Sequence, residues 1–155
     1  MTAARVGLSV VHRRYVSSAD AHYGGSLVDG AFSLALFGDV ATELCIRTDG
    51  DEGLFAGYGD VVFHEAVRAG DVLEVTAELV RVGRRSREIA FTARVVCRAE
   101  PERSASASRV LPGPLVVTTA RGTVVVPAPD PGTEPGSPPE TQPGSSPETQ
   151  PGADA

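Results

Sequence analysis

The sequence predicts a single α+β domain in which a curled antiparallel sheet wraps round one long central helix. Three observations carry this prediction. An early segment, residues 26–47, is mostly apolar and free of proline. Later segments carry apolar residues at strand period, and the turns joining them are short and rich in Gly, Asp and Ser. One helix followed by a run of long strands is the element order of an α+β layer.

In chain order, Val6, Leu8 and Val10 alternate with Gly7 and Ser9, which predicts a short strand with one buried face, continuing toward His12. Residues 17–25 form a polar, glycine-containing loop. The helix over 26–47 follows, with Asp29 placed to cap or charge its first turn. Its apolar residues, among them Leu27, Leu34, Phe37, Val40, Leu44 and Ile46, go nearly all the way round, which predicts a helix enclosed by other elements. Residues 48–53 (TDGDEG) are turn chemistry. Strands are predicted over 59–65, 72–82, 87–98 and 115–126, with turns at 69–71 and 83–86 and a Ser-, Ala- and Pro-rich loop over 100–114. Within 72–82, Leu73, Val75, Ala77 and Leu79 alternate with Glu74, Thr76 and Glu78, the period of a sheet with one buried face.

From residue 128 the composition turns to Pro, Gly, Ser, Thr, Glu and Gln, and 135–142 (PGSPPETQ) is nearly repeated by 143–150 (PGSSPETQ). Such a tail has too little apolar surface to offset the entropy of ordering a chain, about 1–2 kcal/mol per residue, so 128–155 is expected to be disordered and 1–127 to be the folded domain. The 155 residues, 41% apolar and 22% charged, have the composition of a soluble globular protein. Arg5, His12, Arg13 and Arg14 interrupt every early apolar run, so neither a signal peptide nor a membrane span is expected and the cytoplasm is the predicted location. Cys45 and Cys97 have no CxxC spacing and no grouping with the three histidines, so they read as small apolar residues and no metal site is expected. A formal charge of -6 argues against nucleic acid as a partner.

Several blocks match a known pattern: a Gly-containing loop before the helix, then FHEAVRAGDVLEV (63–75) and VRVGRRSREIAF (80–91). These resemble the hotdog superfamily. More specific are DAHYGGSLVDGAFSLALFGDVATE (20–43), DGDEGLF (49–55) and GPLVVTTARGTVVVP (113–127), which resemble the 3-aminobutyryl-CoA and β-alanyl-CoA ammonia-lyases. The similarity runs along 6–127, departing at Ser26, where the family pattern has Asn. The resemblance implies loss of ammonia from a β-aminoacyl thioester, or the reverse amination, with active sites built across the interface of a homodimer or a hexamer. It implies no cofactor beyond the coenzyme A of the substrate.

That chemistry needs a base for the α-proton, donors for the enolate oxygen, and a place for the amine. Backbone N–H groups of Gly24, Gly25 and the turn after Ser26 are candidates for the thioester oxygen, because N–H groups at a helix start are unpaired. A carboxylate is the natural base and a second one can hold the ammonium; Asp20, Asp29, Asp39 and Glu43 are the candidates. Asp39 and Glu43, four apart, share a helix face in an apolar segment, although Glu43 also has Arg47 at ion-pair spacing. His22 is a candidate for orienting substrate or shuttling a proton, and Tyr23 for a phenol hydrogen bond or packing at the dimer seam. His12 and His64 read as structural. Arg84, Arg85, Ser86 and Arg87 form a basic turn that suits the CoA phosphates or is simply a solvated hairpin. The rival readings are an acyl-CoA or acyl-carrier-protein thioesterase, a 3-hydroxyacyl dehydratase and a non-catalytic thioester sensor.

Overall fold

The structure, a computed structural model, describes residues 6–128; the expected tail lies outside them. Its elements are strand β1 (Ser9–Tyr15), helix α1 (Gly30–Asp49), and strands β2 (Leu54–Phe63), β3 (Val72–Val82), β4 (Ser86–Ala99) and β5 (Ser108–Val125). All strands pair antiparallel in one sheet of order β1-β3-β4-β5-β2, with α1 packed in its concavity. This is the curled sheet around a single helix that the element order predicted.

Period-two alternation explains the packing. Leu73, Val75, Ala77 and Leu79 of β3 and Ile89, Phe91, Ala93 and Val95 of β4 point inward and are fully or almost fully buried. They meet Phe37, Val40, Ala41, Leu44 and Cys45 of α1. Phe37 stacks on Phe91 with ring centroids 4.9 Å apart, so truncating either ring would cost about 3–5 kcal/mol.

Several boundaries differ from expectation for identifiable reasons. The helix starts at Gly30 and not at residue 26, because Gly25 and Ser26 hold φ of 72° and 60°, which no helix propagates. It ends where Gly50, in a left-handed conformation, returns its N–H to the Ile46 carbonyl. Strand β1 runs through the charged His12-Arg13-Arg14, since an edge strand tolerates polar side chains. The expected 100–114 loop shrinks, because β5 begins at Ser108 and pairs Ser108, Arg109 and Val110 with Ala99, Arg98 and Cys97. Nor is the helix enclosed all round: Ala31, Ala35, Asp39, Ile46 and Arg47 are exposed along one side. Cys45 is buried and Cys97 half-buried, both free.

Candidate active site

The loop before α1 is fastened by its backbone. His22 and Tyr23 both donate to the Leu27 carbonyl at 2.9 and 3.0 Å, Val28 donates to Val67, and Ala69 donates to Ser26. These bonds fold residues 22–28 back over the segment that follows β2. Asp29 then caps the helix, its Oδ1 accepting the Phe32 N–H at 3.0 Å. A cleft of about 460 Å³ opens at this helix head, lined by Tyr23, Val28, Asp29, Gly30, Ser33, Phe63, His64, Glu65, Ala66, Val67 and Thr118.

Its chemistry is acidic. Asp29 and Glu65 are its two carboxylates, and among the described residues neither lysine nor arginine lines it. His22 lies beside it, Nδ1 3.9 Å from Asp29 Oδ2, and meets Tyr23 edge-on. His64 is oriented by Thr119, whose Oγ1 is 2.8 Å from Nε2. At the floor, Thr118 Oγ1 donates to Ser33 Oγ at 3.1 Å, and both side chains are buried. The ring of Phe63 lies against Gly30, where a Cβ would come within 2.5 Å of it, so the strand end and helix head approach as closely as glycine allows.

Of the residues singled out by sequence, the cleft gathers Asp29 and Tyr23, with His22 at its margin. The helix head is formed by Gly30 and Ala31, whereas Gly24, Gly25 and Ser26 form a separate 3-10 turn, and Gly25 and Ser26 line a smaller pocket beside Arg68 and Arg98. Asp20 is occupied at a different turn, accepting from the Ser17 N–H and Oγ, each at 2.9 Å, and these bonds hold its carboxyl below the usual range. Asp39 and Glu43 stand about 15 and 21 Å further along the helix axis than Asp29. Asp39 faces solvent. Glu43 is clasped between His12 and Arg47, and these hydrogen bonds lower its carboxyl's pKa. Within one protomer neither reaches the cleft.

The basic turn also separates. Arg87 is buried and pairs with Asp49 while donating to the Gly83 and Ser86 carbonyls, so it is not available to a phosphate. Arg84 and Arg85 are exposed, with Ser86 half-buried at the start of β4, all at the end of the helix opposite the cleft. His64, Glu65, Ser33 and Thr118 also line the cleft, and the sequence did not single them out as candidates for it. An adjacent His-Glu at a strand end and two hydroxyls at core-period positions were the available signals.

The curled sheet, the single helix and the cleft at its head define a hotdog domain, and residues 26–96 match the profile of the Thioesterase superfamily. The chain is 53% identical over 112 residues to the 3-aminobutyryl-CoA ammonia lyase of Acetoanaerobium sticklandii, covering 72% of this chain and 89% of that protein. The solved beta-alanyl-CoA:ammonia lyase from Clostridium propionicum is 35% identical with a TM-score of 0.74, over 79% of this chain and 87% of that one. A hexameric thioesterase from Yersinia pestis shares the fold at 17% identity and TM-score 0.62, over 79% and 89% of the two chains. The chain belongs to the 3-aminobutyryl-CoA ammonia lyase family.

Proposed function

We propose that this cleft catalyses the reversible elimination of ammonia from a 3-aminoacyl-CoA, such as 3-aminobutyryl-CoA, to give the enoyl-CoA. The observation that carries the reading is the charge of the cleft: two carboxylates and, among the described residues, no lining cation, at a helix head. A helix head suits a developing oxyanion and the carboxylates suit an ammonium group, the two charges of this substrate in its transition state.

In the forward direction the thioester oxygen sits at the Gly30 and Ala31 N–H groups, which have no partner inside the helix. Glu65 takes the α-proton. The electron pair of the broken C–H bond passes through the enolate into the new Cα–Cβ double bond. The C–N pair leaves with nitrogen, so the bound ammonium departs as neutral ammonia. Asp29 holds that group beforehand, and His22 and His64 stand ready to relay the proton. No resident cofactor is needed for these steps, because the thioester itself acidifies the α-proton. Both cysteines being free suits the reducing cytoplasm in which the substrate's thiol carrier would be found.

Assembly belongs to the same reading. Strand β2 is a free sheet edge carrying the exposed Leu54, Val62 and Phe63, and a second copy pairing along it would stand beside the open cleft. This edge supports a homodimer, on its own or as the unit of a hexamer. The exposed Arg84 and Arg85 reach CoA phosphates only from such a neighbouring copy.

The test is to mix the protein with 3-aminobutyryl-CoA and follow enoyl-thioester absorbance and free thiol together. Enoyl product without thiol is expected. Thiol without enoyl product would make the chain a thioesterase, the activity named for the Yersinia pestis neighbour. Glu65→Gln should retain the fold and lose about 10²–10⁴-fold in kcat, the usual contribution of a general base; a near-normal rate would move the base to Asp29 or His22.

A further inference from the structure

The floor of the cleft carries a polar feature that thioester binding alone does not require. Ser33 and Thr118 are 2% and 1% exposed, among core residues such as Phe37 and Val117, yet both line the cleft. Buried hydroxyls in such surroundings carry a desolvation cost and are expected to be fully bonded. Here Thr118 donates to Ser33 Oγ at 3.1 Å, and because a hydroxyl oxygen has two lone pairs, Ser33, which lines the cleft, keeps the capacity to accept one further hydrogen bond.

Ser33 also follows Asp29 by one helical turn. Asp29 is the N-cap, in extended backbone, and Ser33 lies in the first turn of the helix it caps; both line the cleft, so an acceptor on each is available to one small nitrogen bound there. An ammonia molecule offers three N–H donors and one lone pair. Held by Asp29 and Ser33, with a third N–H toward Glu65 or water, it presents the lone pair outward to the β-carbon.

We infer that Ser33, set by Thr118, is the specificity-determining acceptor that holds the amine nitrogen beside Asp29, both as the substrate's ammonium and as the ammonia that adds in reverse. This rests on the ammonia-lyase reading.

The experiment is amination of crotonyl-CoA by the full chain, varying ammonia and enoyl thioester separately. Ser33→Ala removes the acceptor in a helix that favours alanine, and should raise the KM for ammonia about tenfold while leaving that for crotonyl-CoA within about twofold. Thr118→Val should follow the same split, and Thr118→Ser should restore most of the loss. A Ser33→Ala protein with an unchanged ammonia KM, or one whose crotonyl-CoA KM rises equally, overturns the inference while the wild-type activity still stands. Wild-type protein that neither adds nor releases ammonia overturns both.

Discussion

At the scale of single residues, the loop before the helix carries a conformation that its sequence does not favour. Ser26 has φ of 60°, directly after Gly25 at 72°. Left-handed backbone is costly for most L-residues and is adopted most readily by Gly and, after it, by Asn. The Asn that the family pattern places here therefore has a backbone reason that does not depend on its amide. Ser26→Asn should stabilise the protein by about 0.5–1 kcal/mol, a shift of a few degrees in Tm; a lower melting temperature would mean that the serine hydroxyl has a role of its own. Residue-level legibility divides along the same line. Asp29 was legible because a cap is a local rule, satisfied within three residues. His64 and Glu65 were not, because their role depends on where β2 ends against the helix head, and that is set by register and bulges in a strand paired with β5 more than fifty residues later.

At the scale of elements, α1 is tied to the sheet at its far end by a charge pair. Asp49 closes the helix, where a negative charge opposes the helix dipole, and Arg87 of β4 compensates it from a buried position. Burial pushes the Asp49 carboxyl up, but hydrogen bonds from Arg87 and Thr48 and the Arg87 charge outweigh this and hold it below its ordinary 3.8. A carboxylate lowered on folding contributes stability that is complete above the ordinary value and is lost as pH falls through the lowered one. Asp49→Asn leaves a buried guanidinium uncompensated and should cost about 3–5 kcal/mol at neutral pH. Below about pH 4 the wild-type melting temperature should fall more steeply than that of the variant, since the variant has lost this titrating group. Parallel acid limbs in thermal melts would remove Asp49 from the account. The pair also divides the basic turn, for which the sequence left both phosphate contact and a solvated hairpin open. Four adjacent residues look equivalent as a motif, but strand alternation turns Arg87 inward while Arg84 and Arg85 stay outside. Period alone places β3 over the residues it occupies, whereas the start of β5 is hidden because in residues 108–114 only Leu111 is turned toward the core and the rest are exposed.

At the scale of the whole molecule, the sheet has two edges that no other strand among the described residues pairs, and they are unequal. Edge β1 carries Arg13 and Arg14, with Arg13 bonded to Glu74, and a charged edge resists pairing with another copy. Edge β2 has one charged residue, Asp60, and leaves Leu54, Val62 and Phe63 exposed. Antiparallel strands that pair about a twofold near the middle of β2 set the Phe63 end of one copy beside the Leu54 end of the other. The His64–Glu65 corner of each cleft then lies at the seam, which gives the exposed apolar edge a place and the open cleft a second wall. Val62→Arg should therefore reduce particle size in sedimentation velocity and lower turnover in the same preparation, although Val62 does not line the cleft. The combination is informative because circular dichroism and melting of the separated protomer report whether the domain itself survives. A folded monomer with full activity would make each cleft complete within one chain, and an unchanged oligomer would move the contact away from β2 to the exposed side of α1.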